Sequence, residues 1–109
     1  MDGLTELLKG VLEGCVLQIL SSGGGYGYKI VRALNQAGFT SVSEGTVYPI
    51  LLRMEKKDLV TISWIRSEEG PTRKVYTLNA KGQEALGEFW QRWEYVSLRL
   101  TMLKENGNV

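Results

Sequence analysis

Apolar residues recur at spacings of three and four through the first part of the chain: Leu4, Leu7, Leu8, Val11, Leu12, Cys15, Val16, Ile19 and Leu20. That period predicts one amphipathic helix over about 4–21. Gly10 and Gly14 lie four apart within it. Each costs about 1 kcal/mol relative to alanine in a helix interior, which points to close approach by another helix. Ser21-Ser22-Gly23-Gly24-Gly25 then makes a turn. It lacks the preceding strand and the Gly-Lys-Ser/Thr ending of a phosphate loop. A second helix is expected over about 26–37, with Gly27, Ile30, Val31 and Leu34 inward and Gly38 as its stop.

Phe39 to Val42 connects this helix to a third, over about 44–57, which has two usable faces. Val47, Ile50, Leu51 and Met54 fall on one side; Gly45, Pro49, Leu52 and Lys56 fall opposite, with Thr46, Tyr48 and Arg53 on the flanks. The first side packs, and the second is free to touch something. A proline cannot donate to the helix interior, so Pro49 implies an irregular first turn after Ser43 and a tight helix from near Thr46. Two helices joined by a short connector, the second with an exposed face bearing hydroxyls and cations, form a helix-turn-helix of the kind that reads DNA. The bland alternative is a solvated polar face.

After Asp58 the period changes to two. Leu59 to Arg66 alternates, with Val60, Ile62 and Trp64 on one face, and Val75-Tyr-Thr-Leu78 is a second strand-like run. The intervening Ser67-Glu-Glu-Gly-Pro-Thr72 has turn chemistry, so a hairpin spans about 59–78, its far limb opening with Arg73 and Lys74. Asn79 is a good N-cap for a last helix over 79–105. Leu86, Phe89, Trp93, Val96, Leu100 and Leu103 keep heptad spacing along it, and Trp90, Tyr95, Leu98 and Met102 add apolar flank. A helix of roughly 24 residues extends about 36 Å, longer than so small a core needs, so the excess apolar surface calls for a partner, most simply a second copy.

The 109 residues suit one domain, and 43% hydrophobic with 23% charged residues is ordinary for a folded soluble protein. The net charge of +1 conceals a bias: residues 25–74 hold eight cations against five carboxylates. That is a weak electrostatic footprint for nucleic acid, doubled in a symmetric dimer. A single cysteine and no histidine exclude most metal sites and all histidine-based catalysis, and neither cofactor nor metal is expected. An enzyme is the weakest reading. Cys15 sits in an apolar pattern that favours a small buried hydrophobe over the alternative, a redox role, and a lone thiol fits a reducing cytoplasm. Charges interrupt the first apolar residues too often for a signal peptide, and no run is long enough to span a membrane.

Leu8-Lys-Gly-Val-Leu-Glu-Gly-Cys-Val-Leu17, Tyr26-Gly-Tyr28, Glu44-Gly-Thr-Val-Tyr-Pro-Ile-Leu51 and Gly70-Pro-Thr-Arg-Lys-Val-Tyr76, followed by Leu78 and Gly82, stand in this order along the chain. Together they resemble the PadR family of bacterial transcriptional regulators over essentially its whole length. The resemblance implies a mainly α, α+β fold: a winged helix-turn-helix over 1–78 and a C-terminal dimerisation helix over 79–105 in the same compact unit. It implies a homodimer that represses transcription, in which the long helix pairs with the first helix of the other subunit. Leu8, Val11, Leu12, Cys15, Leu86, Phe89, Trp93, Val96, Leu100 and Leu103 would form that interface. In many members a small molecule, often a planar aromatic compound, releases the DNA; Trp93, with Trp90 beside it, is the candidate to stack on such a ligand, and plain dimer packing, which needs no ligand, is the favoured alternative. For double-stranded DNA, Thr46, Tyr48 and Arg53 are expected in or beside the groove, with Ser43 and Gly45 at the leading end of the same helix. Tyr26, Lys29, Arg73 and Lys74 are expected on phosphates. The rival from another class is a protein–protein adaptor using the same fold, without sequence-specific DNA binding.

Overall fold

The computed structural model describes residues 2–66 and 68–107. In chain order these form α1 (Asp2–Leu8), α2 (Leu12–Ser21), α3 (Gly27–Gln36), α4 (Glu44–Lys56), β1 (Val60–Ile65), β2 (Arg73–Leu78) and α5 (Ala80–Asn106). The expected single helix over 4–21 is therefore two. At the break, Lys9 N–H donates to the Glu6 carbonyl and Val11 N–H to the Leu8 carbonyl, the i→i−3 bonds of a tightened turn. A Cβ on Gly10 would meet nothing within 4 Å, so this glycine loosens the helix and admits no neighbour. Gly14 behaves as expected, because the Phe89 ring of α5 occupies the space its Cβ would need.

The core gathers Val16, Leu17 and Leu20 of α2, Ile30 and Leu34 of α3, and the whole inner face of α4: Val47, Ile50, Leu51 and Met54. Leu59, Val60, Tyr76 and Leu78 close it from the hairpin side. The strands are antiparallel, with Val60 opposite Leu78, Ile62 opposite Tyr76 and Trp64 opposite Lys74. Gly25 joins the other edge of β2: its N–H donates to the Tyr76 carbonyl at 3.0 Å and its carbonyl accepts from the Tyr76 N–H at 2.8 Å. The glycine turn thus docks the wing onto the start of α3.

Two helix ends use the same stop. After α3, Gly38 takes positive φ, while Gly38 N–H and Phe39 N–H return to the Asn35 and Leu34 carbonyls. After α4, Asp58 sits at φ 60°, and Asp58 N–H and Leu59 N–H return to Glu55 and Met54 in the same pattern. Asn79 then ties three elements together: its Oδ1 accepts from Gly82 N–H at 2.8 Å, and its Nδ2 donates to the Asp58 carbonyl at 2.8 Å. Gly82 has no room for a side chain, since the Leu59 carbonyl lies against it.

α5 gives the molecule its length, 60 Å against 32 and 21 Å in the other directions. Its first part packs on α2 and buries Leu86. Beyond Phe89 the helix runs clear of the core, and every large apolar side chain from Trp90 to Leu103 is 40–59% exposed. The helix stops at Gly107, in the left-handed region; the fraying expected over 106–109 falls partly outside the described residues.

Candidate nucleic-acid interface

α3 and α4 form the helix-turn-helix, and a side chain fixes the turn between them. Asn35 Nδ2 donates to the Phe39 carbonyl at 2.8 Å and to the Val42 carbonyl at 3.0 Å, satisfying two loop acceptors at once. The hydrophobic pattern carries no sign of this; asparagine just before a glycine stop is the only local hint.

α4 starts where expected, at Glu44, but its first turn is regular rather than bent. Thr46 N–H and Val47 N–H both donate to the Ser43 carbonyl, so the helix is regular from Glu44 and Pro49 stands in its second turn. The proline leaves the Gly45 carbonyl without its i+4 donor, on the exposed face where a solvent or ligand donor can reach it. Ser43, Gly45, Thr46, Leu52, Arg53 and Lys56 are all exposed there. Tyr48 is placed differently from Thr46. Its ring lies over Gly27, where a Cβ would come within 2.6 Å of the hydroxyl, so it bridges α4 to the first turn of α3 while staying 47% exposed.

The cations around this face are in unlike states. Arg73 lies over the Tyr26 ring at 4.4 Å, a cation–π contact that brings two sequence-expected residues together beside the α3 N-terminus. Lys29 is exposed on the first turn of α3. Lys74 does not project with Arg73: its Nζ lies 2.6 Å from Glu55 Oε1 of α4 and faces the rings of Tyr76 and Trp64. The hydrogen bond to Glu55 holds the lysine above its ordinary pKa, against an opposing effect of burial. Lys74 is thus paired with Glu55 within the chain, whereas Arg73 beside it is not. The physical reason is strand alternation, which sends adjacent side chains to opposite faces.

An open, mainly apolar groove of about 740 Å³ runs between the α1–α2 corner and α5, with Leu7, Val11, Leu17, Phe89, Trp93 and Val96 among its lining. Trp93 faces it, but Trp90 does not. Trp90 Nε1 donates to Gln18 Oε1 at 2.8 Å and its ring meets Phe89 edge-on at 5.1 Å, so in this structure it clasps α5 to α2. Leu8, Leu12 and Leu86 are buried in the chain's own core and leave the expected interface set. Val11, Cys15 and Phe89 are half-buried, while Trp93, Val96, Leu100 and Leu103 stay open. Burial pushes the Cys15 thiol above its ordinary pKa. Among the described residues no group of three or more His, Cys, Asp or Glu is placed to hold a metal ion, and no helix is long and apolar enough to cross a membrane.

Residues 16–88 match the transcriptional regulator PadR-like family. The chain belongs to that family. Its fold is accordingly a winged helix-turn-helix with a long C-terminal helix, and the family is one of transcriptional regulators rather than of enzymes. A PadR-like transcriptional regulator of Bacillus cereus strain ATCC 14579 has a similar crystal structure, at 49% identity and a TM-score of 0.80, covering 90% of this chain and 95% of that one. A Streptococcus transcriptional regulator is 41% identical with a TM-score of 0.81, covering 90% and 96%. Transcriptional regulator YqjI of Escherichia coli K12 is 32% identical over 84% of this chain, which spans 43% of that longer protein. Bacillus subtilis PadR, solved in complex with operator DNA, shares the fold at a TM-score of 0.67 and 24% identity, over 76% of this chain and 48% of that one.

Proposed function

We propose that the protein is a sequence-specific DNA-binding repressor that acts as a homodimer on a palindromic operator. The observation that most supports this is the uncovered outer face of α4, flanked on one side by Arg73 stacked on Tyr26 and by Lys29. α4 enters the major groove with Thr46 and Arg53 against base edges and Tyr48 at its margin, Ser43 and Gly45 lying close to the backbone. Tyr26, Lys29 and Arg73 meet phosphates; Lys74, already engaged by Glu55, is left out of that set. Bacillus subtilis PadR, the relative solved with operator DNA, has the same fold, which supports the choice of ligand.

The second subunit covers the distal half of α5 and the groove beside it. Exposed tryptophan, valine and leucine at heptad spacing are what a helix seam offers another helix. Two α4 helices then stand about 34–36 Å apart, one turn of DNA. A planar aromatic effector stacks on Trp93 in the groove and lowers operator affinity by favouring a dimer with a different spacing, which requires unequal affinity for the two dimer states.

The test is a pair of substitutions measured on operator and random DNA over a range of salt. Arg73→Ala is expected to weaken both and to lower the salt slope by about one, whereas Arg53→Ala relaxes specificity at one base position for about 1–3 kcal/mol. Equal losses on both DNAs for both variants contradict the division of roles.

A further inference from the structure

We infer that the Glu55–Lys74 ion pair is a latch that sets the angle of the wing against the recognition helix, making both positioning residues for DNA binding. The inference rests on the DNA-binding reading above. Glu55 belongs to the last turn of α4 and Lys74 to the second position of β2, nineteen residues apart in sequence. Their side chains keep only 28% and 34% of their surface exposed, and Nζ to Oε1 is 2.6 Å. On the same inner face of the hairpin, Trp64 stands directly opposite Lys74, and Tyr76 follows two residues on, buried in the core. The ammonium is thus held between a carboxylate and two aromatic rings. The outer face of the same strand, one residue earlier, carries Arg73 over Tyr26.

Alternation makes the division necessary. Where one of two adjacent strand cations turns inward to the end of α4, the other turns outward to the α3 N-terminus. Rotating the wing away from α4 breaks the inner pair and moves the outer arginine together, so the latch acts on DNA through Arg73. The hairpin base is fixed by the Gly25–Tyr76 pairing and by buried Val60, Tyr76 and Leu78, so the pair acts on the outer rungs, Trp64–Lys74 and Ile65–Arg73, and contributes little to the stability of the fold itself.

The opposite reading, in which Lys74 contacts phosphate and Glu55 merely stores it, differs in sign. Removing the Glu55 charge would then free a cation and tighten binding to all DNA. Under the latch, Glu55→Gln and Lys74→Ala each weaken operator binding by about two- to fivefold, the range expected for loss of one partly exposed pair, and leave the salt slope unchanged. Lys74→Arg and the double exchange Glu55→Lys with Lys74→Glu recover most of the loss. Amide hydrogen exchange of DNA-free Glu55→Gln protein provides a readout independent of DNA: exchange in β1 and β2 accelerates while that in α2 stays unchanged. Tighter binding by Glu55→Gln, a salt slope lowered by about one in Lys74→Ala, or unaltered exchange in the wing overturns the latch. Wild-type protein without DNA affinity overturns the parent reading instead, and is distinguished because no variant then changes binding.

Discussion

One heptad stripe runs through both halves of α5 into opposite surroundings. Leu86 and Phe89, in the first half, lie against the core and against Gly14; Val96, Leu100 and Leu103, on the same heptad face, are 48–57% exposed. One stripe thus serves two kinds of packing. Its first part fastens the helix to its own domain, and its second part continues the same apolar seam with nothing of its own chain to cover it. A hydrophobic period states that a face is to be buried and leaves open whose surface buries it.

The largest effect separating the halves is expected from Leu86→Ala. Emptying a core position of this kind costs about 2–4 kcal/mol, and urea unfolding should show that loss at every protein concentration. In the other half, Leu100→Asp is expected to cost about 2–3 kcal/mol of subunit association in the proposed dimer, by placing an unpaired charge where the second subunit would cover the helix. Sedimentation should find a single chain, and the unfolding midpoint should lose its dependence on concentration. A Leu100→Asp protein that remained dimeric would remove the contrast.

The smallest effect belongs at the boundary. Trp90→Phe removes the hydrogen bond to Gln18 and is expected to lower stability by about 0.5–1.5 kcal/mol. It should leave binding of a planar aromatic ligand unchanged in a calorimetric titration, whereas Trp93→Ala should abolish it. Loss of ligand binding in both would place Trp90 back beside the groove.

Much of this architecture was legible in the residues themselves. The three-and-four spacing located the helices, alternation and a Gly-Pro turn located the wing, and Asn79 marked the start of α5. The break at Lys9–Val11 was not legible, because Leu8 and Leu12 both reach the core and the apolar stripe passes through the turn without losing phase. Pro49 suggested an irregular first turn for α4, but the missing donor falls opposite the exposed Gly45 carbonyl, so the helix tolerates it. Lys74 shows a signal present and unused: two adjacent strand cations cannot share a face. Its partner Glu55 was beyond reach, since a pairing nineteen residues away depends on how the hairpin folds back over α4. The heptad already set Trp93 apart from Trp90 on the flank, but the bond from Trp90 to Gln18 of α2 depends on how α5 lies across α2 and was beyond reach for the same reason.

Fluorescence anisotropy of labelled DNA from upstream of the protein's own coding sequence, set against random DNA at several salt concentrations, tests the central claim most directly. Tighter binding to the upstream fragment is expected, with affinity falling steeply as salt rises because each phosphate contact releases counterions. Equal, weak and salt-insensitive binding to both DNAs would contradict it and turn the exposed face of α4 toward a protein partner.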